Sequence, residues 1–356
     1  MGLAAQLLRR IRATGPMTLA DYMAEALLDP AAGYYATRDP LGAAGDFTTA
    51  PEISQMFGEM LGLCLAQAWL DQGAPAPVTL AELGPGRGTL MADLLRATRG
   101  VPGFHDAVRL HLVEASPPLR ARQAEALAGH APEWHDTVEG LPEGPLLLVA
   151  NEFLDALPIR QWIRADAGWS EILVTEAEGE LAFARGPAMP VPELDHHDVP
   201  PGTVVERCPS LPGIVASVGD RVAQGGAAIF VDYGHWRSRG DTLQALRAHR
   251  PVHPLDAPGT ADLTAHVDFE AVARAAAPAR ASAMMRQGVL LERLGITARA
   301  QALAQALSGA ARDAHVAAHR RLTHPAEMGD LFKAMALAPR GAPLPPGFDA
   351  EDRDDA

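Results

Sequence analysis

Cysteine is scarce. The 356-residue chain has two, Cys64 and Cys208, far apart and flanked by apolar neighbours, and both read as buried thiols in a reducing compartment. No Cys/His cluster has zinc spacing, and His196-His197 lies in an acidic, Pro-rich loop that reads as a solvated turn. Positive charge is also short: 30 Lys and Arg stand against 44 Asp and Glu, a formal net charge of −14. With no basic stripe to offset it, that balance argues against general nucleic-acid binding. Long apolar runs are missing, so neither a membrane span nor a signal peptide is expected. The opening M-G-L-A-A-Q-L-L-R-R-I-R is Arg-rich but reads as the first helix of the fold, and a cytoplasmic enzyme is the expectation. What is plentiful is apolar residues, 48% of the chain, enough for a sizeable core.

The chain is organised around V-T-L-A-E-L-G-P-G-R-G-T-L, Val78 to Leu90. A short apolar run, a turn with Gly84, Gly86 and Gly88, and a helically spaced L-M-A-D-L-L-R form strand, turn and helix. This is the opening unit of a doubly wound α/β sheet, in which ligands bind beyond the carboxyl ends of the strands. A dinucleotide turn runs G-x-G-x-x-G and rests a pyrophosphate on the helix N-terminus. Here the glycines run G-x-G-x-G, around Pro85, and Glu82 precedes them. A carboxylate there opposes a phosphate and favours a cation such as the ammonium and sulfonium of S-adenosyl-L-methionine. Glu114, ending R-L-H-L-V-E, is placed to hold the ribose hydroxyls. Residues 132–136 read as a short third strand, with Asp136 either an adenine contact or a turn aspartate. Leu146 to Ala150 reads as a buried parallel fourth strand.

N-E-F-L-D follows that strand directly, at the mouth of the expected site. Glu152 is the first candidate to grip a guanidinium bidentately, while Asn151 and Asp155 either join the site or cap the next helix. A long Gly/Thr/aromatic loop at residues 33–52 reads as a lid, with Asp46 as second candidate and Thr48, Thr49 and Glu52 facing a ligand. Glu52 also suits a helix first turn. Arg160 to Arg185 alternates like antiparallel strands inserted on the sheet. A-A-I-F-V-D-Y-G-H is the fifth strand, ending in Asp232, Tyr233 and His235; structural hydrogen bonds are the plainer role for its Asp232 and His235, proton removal the sharper one. Residues 240–268 read as an irregular substrate-binding loop in which His266 is either a base or a structural histidine.

Several long segments, in order, carry a resemblance: G-D-F-T-T-A-P-E-I-S-Q-M-F-G-E-M-L-G, A-E-L-G-P-G-R-G-T-L, H-L-V-E-A-S-P-P-L-R, A-N-E-F-L-D-A-L-P-I, I-F-V-D-Y-G-H and A-D-L-T-A-H-V-D-F. Together they resemble the MidA-like class I methyltransferases, to which a mitochondrial complex I assembly factor that methylates protein arginine belongs. The resemblance implies a Rossmann-like sheet, S-adenosyl-L-methionine as cofactor, and an arginine-bearing protein acceptor such as a complex I subunit. Arg286 stands where family members usually carry a small polar residue before the position of Gln287, so a substrate contact there is not expected. The expected division is a helical region with lid over residues 1–75, a methyltransferase domain over 76–340 with insertions at about 159–220 and 240–325, and a disordered acidic tail over 341–356. A dehydrogenase is disfavoured by Glu82 and the glycine spacing. A non-catalytic assembly chaperone with a cofactor pocket and a small-molecule methyltransferase are the other readings.

Overall fold

The computed structural model describes residues 2–37, 48–194 and 197–350. Two compact units divide the chain: one comprises Met1–Phe47, Asp155–Leu211 and Arg237–Asp268, and the other Thr48–Leu154, Pro212–Trp236 and Phe269–Ala356. The boundary therefore falls inside the expected helical region and just after Glu152, not at residue 75.

The second unit is built on a mixed sheet. Its main strands are β1 (Val78–Leu83), β2 (Val108–Val113), β3 (Glu133–His135), β4 (Leu146–Asn151), β5 (Gly226–His235) and β6 (Phe332–Ala338). Their order is β3-β2-β1-β4-β5-β6, with β6 the antiparallel member. Two short pieces, Arg280–Ala281 and Met285–Arg286, pair with the far side of β6. Every residue of β1 and β4 is buried, as apolar runs in the middle of a parallel sheet should be. Leu80, Leu147, Val149, Ile229 and Ala336 share one core with the helix α1 (Gln55–Asp71) and α2 (Thr89–Ala97). Those helices approach closely because Gly58 lacks a side chain: a Cβ there would lie 2.8 Å from the Leu90 carbonyl oxygen. Glu52, which suits a helix first turn, lies in the short helix Ala50–Ile53, separated from α1 at Ser54, whose hydroxyl accepts from the Met56 N–H at 3.2 Å.

The first unit is largely antiparallel. Arg160–Arg164, Trp169–Ala177, Glu180–Arg185 and Val204–Arg207 form the inserted strands, joined by Met17–Thr18. The N-terminal helices Leu3–Thr14 and Leu19–Leu28 pack in the core of this unit. Thr18 caps the second of them, accepting from the Asp21 N–H at 3.0 Å. The stretch expected to be irregular is a correction: Gln244–Arg247, Arg250–Val252 and Asp262–Thr264 form a three-stranded antiparallel sheet. Their brevity, and prolines inside and beside them, hide the alternation that marks a strand.

The expected tail is also corrected through residue 350. Phe348 is buried in the core of the second unit, Cys64 donates to the Pro346 carbonyl, and the Ala283 N–H donates to the Asp349 carbonyl at 3.0 Å. Cys64 is buried as expected and its thiol is pushed up to about 12 by desolvation; Cys208 is only half-buried. The lid centre with Asp46, His196, and the final acidic run lie outside the described residues. No described helix is long and apolar enough to cross a membrane.

Candidate functional site

The second unit gathers most of the expected residues at the carboxyl ends of β1, β2 and β4. The glycine turn is held by backbone geometry that other residues adopt only with strain. Gly84, Gly86 and Gly88 all have positive φ, and a Cβ on Gly84 would sit 2.9 Å from Cδ2 of Phe153. The Gly84 N–H donates to the Val113 carbonyl at 3.0 Å and the Gly88 N–H to the Pro85 carbonyl at 2.8 Å. Glu52 adds to this turn, since Thr89 donates its hydroxyl to Glu52 Oε1 at 2.5 Å.

Glu82 is 3% exposed, and its Oε2 has no hydrogen-bond partner among the described residues. Burial, opposed by a hydrogen bond from the Met91 N–H and reinforced by the Glu114 charge, pushes its carboxyl up to about 8. An uncompensated buried carboxylate is costly unless a cation arrives. Asn151, the last residue of β4, likewise has a buried Oδ1 with no partner.

Glu114 lies just past β2 and is buried. Its Oε1 accepts from the Ser116 N–H at 2.8 Å and its Oε2 from Gln123 Nε2 at 3.1 Å. Desolvation raises its carboxyl, against those hydrogen bonds and the Arg120 charge. Gln123, on α3 (Pro117–Ala126), also donates to the Gly86 carbonyl at 2.8 Å and accepts from Trp134 Nε1 at 2.8 Å. It thereby ties the glycine turn to the acid of β2. The sequence held a trace of this: Gln123 is a polar residue on the apolar stripe of its helix. Asp136 does not join the group. Its side chain is 85% exposed, and it accepts from Arg120 at 2.5 Å, so the adenine contact gains no support.

Glu152 follows β4 in a left-handed conformation, φ +52°. Its Oε1 accepts from Asn151 Nδ2 at 3.0 Å and from the Ala50 N–H at 3.2 Å. Asp232, 1% exposed, accepts from the Leu154 and Phe153 N–H groups at 2.9 and 3.2 Å; the structural role foreseen for it is the one observed.

Asp155 and His266 belong to the first unit. The Asp155 carbonyl accepts from the Ala265 N–H at 3.0 Å, and the His266 N–H donates to Thr242 Oγ1 at 2.8 Å. Thr242 in turn donates its N–H to the buried Glu206 at 2.9 Å. The backbone at His266 is thus tied into this hydrogen-bonded framework. Arg286 pairs with Asp330 at 3.2 Å, and Gln287 is buried, donating to the Leu322 carbonyl at 2.9 Å.

The residues fit a cationic, ribose-bearing ligand: an unpaired buried carboxylate at the turn, a second acid held for a diol, and no room beside Gly84 for a side chain. A family described as S-adenosyl-L-methionine-dependent methyltransferase matches residues 60–285, more than half the chain. The chain belongs to this methyltransferase family. Curated relatives agree: the protein arginine methyltransferase NDUFAF7, mitochondrial, of Danio rerio is 37% identical over 92% of this chain and 85% of its own length. The Homo sapiens protein of that name is 35% identical over 94% of this chain and 82% of its own. A solved superfamily member from Burkholderia thailandensis, bound to S-adenosyl-homocysteine, superposes with TM-score 0.84 at 32% identity, covering 97% of this chain and 93% of that one. The methyltransferase fold and the S-adenosyl-L-methionine cofactor are as the sequence led us to expect. The cytoplasmic placement is corrected, because these curated relatives are named mitochondrial.

Proposed function

We propose that this methyltransferase modifies arginine on a protein acceptor, and that the acceptor is a subunit of respiratory complex I, the partner the family resemblance implies. The observation that carries the arginine reading is Glu152. It stands directly after β4, beside the strand that leads into the glycine turn, with one oxygen fixed by Asn151 Nδ2 and the Ala50 N–H. The relatives' name as arginine methyltransferases supports the same reading.

Bound S-adenosyl-L-methionine supplies a methyl group on an electron-poor sulfur, so the protein chiefly has to align the groups and exclude water. Glu82 and the turn from Gly84 to Gly88 would hold the methionine end, and Glu114 the ribose. An arginine acceptor keeps its charge at any physiological pH. Glu152 would localise that charge on one guanidinium nitrogen by charge-assisted hydrogen bonds and leave the other nucleophilic. The acid-rich chain, net −14, favours encounter with a basic segment.

The test is tritiated S-adenosyl-L-methionine with a whole lysate of the source cell, followed by separation of protein from small molecules, hydrolysis of the protein and identification of the labelled species. Methylarginine in one protein is expected. With Glu152→Gln the rate should fall on the order of 100-fold, while affinity for S-adenosyl-homocysteine stays within about threefold. Label in lysine or in a small molecule, or an unimpaired Glu152→Gln, would overturn the reading.

A further inference from the structure

We infer that Asp232 is a positioning residue for methyl transfer, holding the turn that carries Glu152. The inference rests on the reading of Glu152 given above. Asp232 lies near the end of β5, next to β4 in the sheet, and is 1% exposed. Carboxylates are rarely that buried without partners. Its Oδ2 accepts from the N–H groups of Phe153 and Leu154, its Oδ1 accepts from the Tyr233 N–H at 3.0 Å, and the neighbouring Val231 carbonyl accepts from the Glu152 N–H at 2.9 Å. The end of β5 therefore receives three consecutive N–H groups of the turn. Converging N–H groups make a concavity for an anion, and the Asp232 carboxylate occupies it.

That arrangement explains how Glu152 keeps a backbone conformation ordinary side chains avoid. A left-handed residue other than glycine is strained and persists only where its surroundings over-determine it. With φ at +52°, Glu152 is such a residue, and Asp232 with Val231 supplies the surroundings. The same turn carries Phe153, whose ring fills the space beside Gly84. One buried carboxylate thus fixes the gripping residue and the wall of the cofactor turn together. Its commitment to backbone N–H groups argues against service as the proton acceptor.

Asp232→Asn replaces one acceptor oxygen with an NH2 group facing N–H donors, and should loosen the turn. We expect the initial rate of tritium transfer into lysate protein to fall about 10- to 100-fold, on the scale of a misplacement near 1 Å. If Asp232 acts through Glu152, the same change made on Glu152→Gln should cost less than about twofold. Hydrogen exchange of the Phe153 and Leu154 amides should accelerate at least about tenfold. Equal losses in both backgrounds, an unchanged rate, or unchanged exchange would overturn the inference. Should Asp232→Asn fail to melt cooperatively, Asp232→Glu keeps both oxygens and should show a smaller loss that again vanishes on Glu152→Gln; persistence of that loss would count against it. A native protein that transfers no label removes the methyl-transfer reading and this one together, whereas native turnover without the coupling removes this one alone.

Discussion

Glu59 and Glu82 are both buried glutamates of the same unit, 1% and 3% exposed, yet they differ in what neutralises them. Glu59, on α1, accepts from Arg96 at 2.6 Å and from Arg299 at 2.7 and 2.9 Å. Burial alone would raise its carboxyl, but the two guanidinium groups overcome that and hold it low. Glu82 has one backbone donor, a like charge nearby and an orphaned oxygen, and its carboxyl is pushed up to about 8. A carboxylate whose countercharge is built in belongs to the fold. One whose countercharge is missing marks where a cationic ligand belongs.

The contrast can be broken most forcefully at Glu82. Replacing it by glutamine should weaken S-adenosyl-L-methionine binding about 10- to 100-fold, a loss of roughly 1.4–2.8 kcal/mol, measurable by calorimetry. The unliganded protein should respond in the opposite sense. The folded value near 8 lies above the ordinary 4.5, so the stability tied to this proton is complete below pH 4.5 and is lost as pH rises towards 8. Melting curves of Glu82→Gln should lack that decline, and at pH 8 the variant should melt higher than the native protein.

Glu59→Gln should do the reverse, costing about 2–3 kcal/mol of stability while leaving cofactor affinity within about twofold. The cost stays moderate because Arg96 and Arg299, at 37% and 38% exposure, regain water. Urea titration beside calorimetry separates the two effects. The smallest change is expected at Asp136, whose exposed pair with Arg120 is worth less than about 1 kcal/mol. Asp136→Asn should move cofactor affinity less than about twofold, and a tenfold loss would restore the adenine contact read from the sequence.

Legibility followed the reach of each interaction. β1, β4 and β5 were readable because consecutive apolar residues in a parallel sheet need no distant information. The glycine turn with Glu82 and Glu114 was readable because backbone approach and charge sign are local properties. The split of the chain was not: residues 2–37 pack with segments more than a hundred positions away, and nothing in their helical spacing says which core they join. β6 went unrecognised because L-F-K-A-M-A-L-A suits a helix as well as a central strand until its partner β5 is known. At the site, the tie from Gln123 to Glu114 and Gly86, and the clamp of Asp232 on the Glu152 turn, depend on pairings between elements that spacing does not encode.

The most direct test of the cationic turn is proton counting by calorimetry at pH 7, titrating S-adenosyl-L-methionine in buffers of different ionisation enthalpy. With a carboxyl near 8 that must ionise to receive the cation, the native protein should release close to one proton per ligand and Glu82→Gln none. Tight binding with no proton released, or equal release from both proteins, would contradict the assignment of Glu82 as the counter-charge.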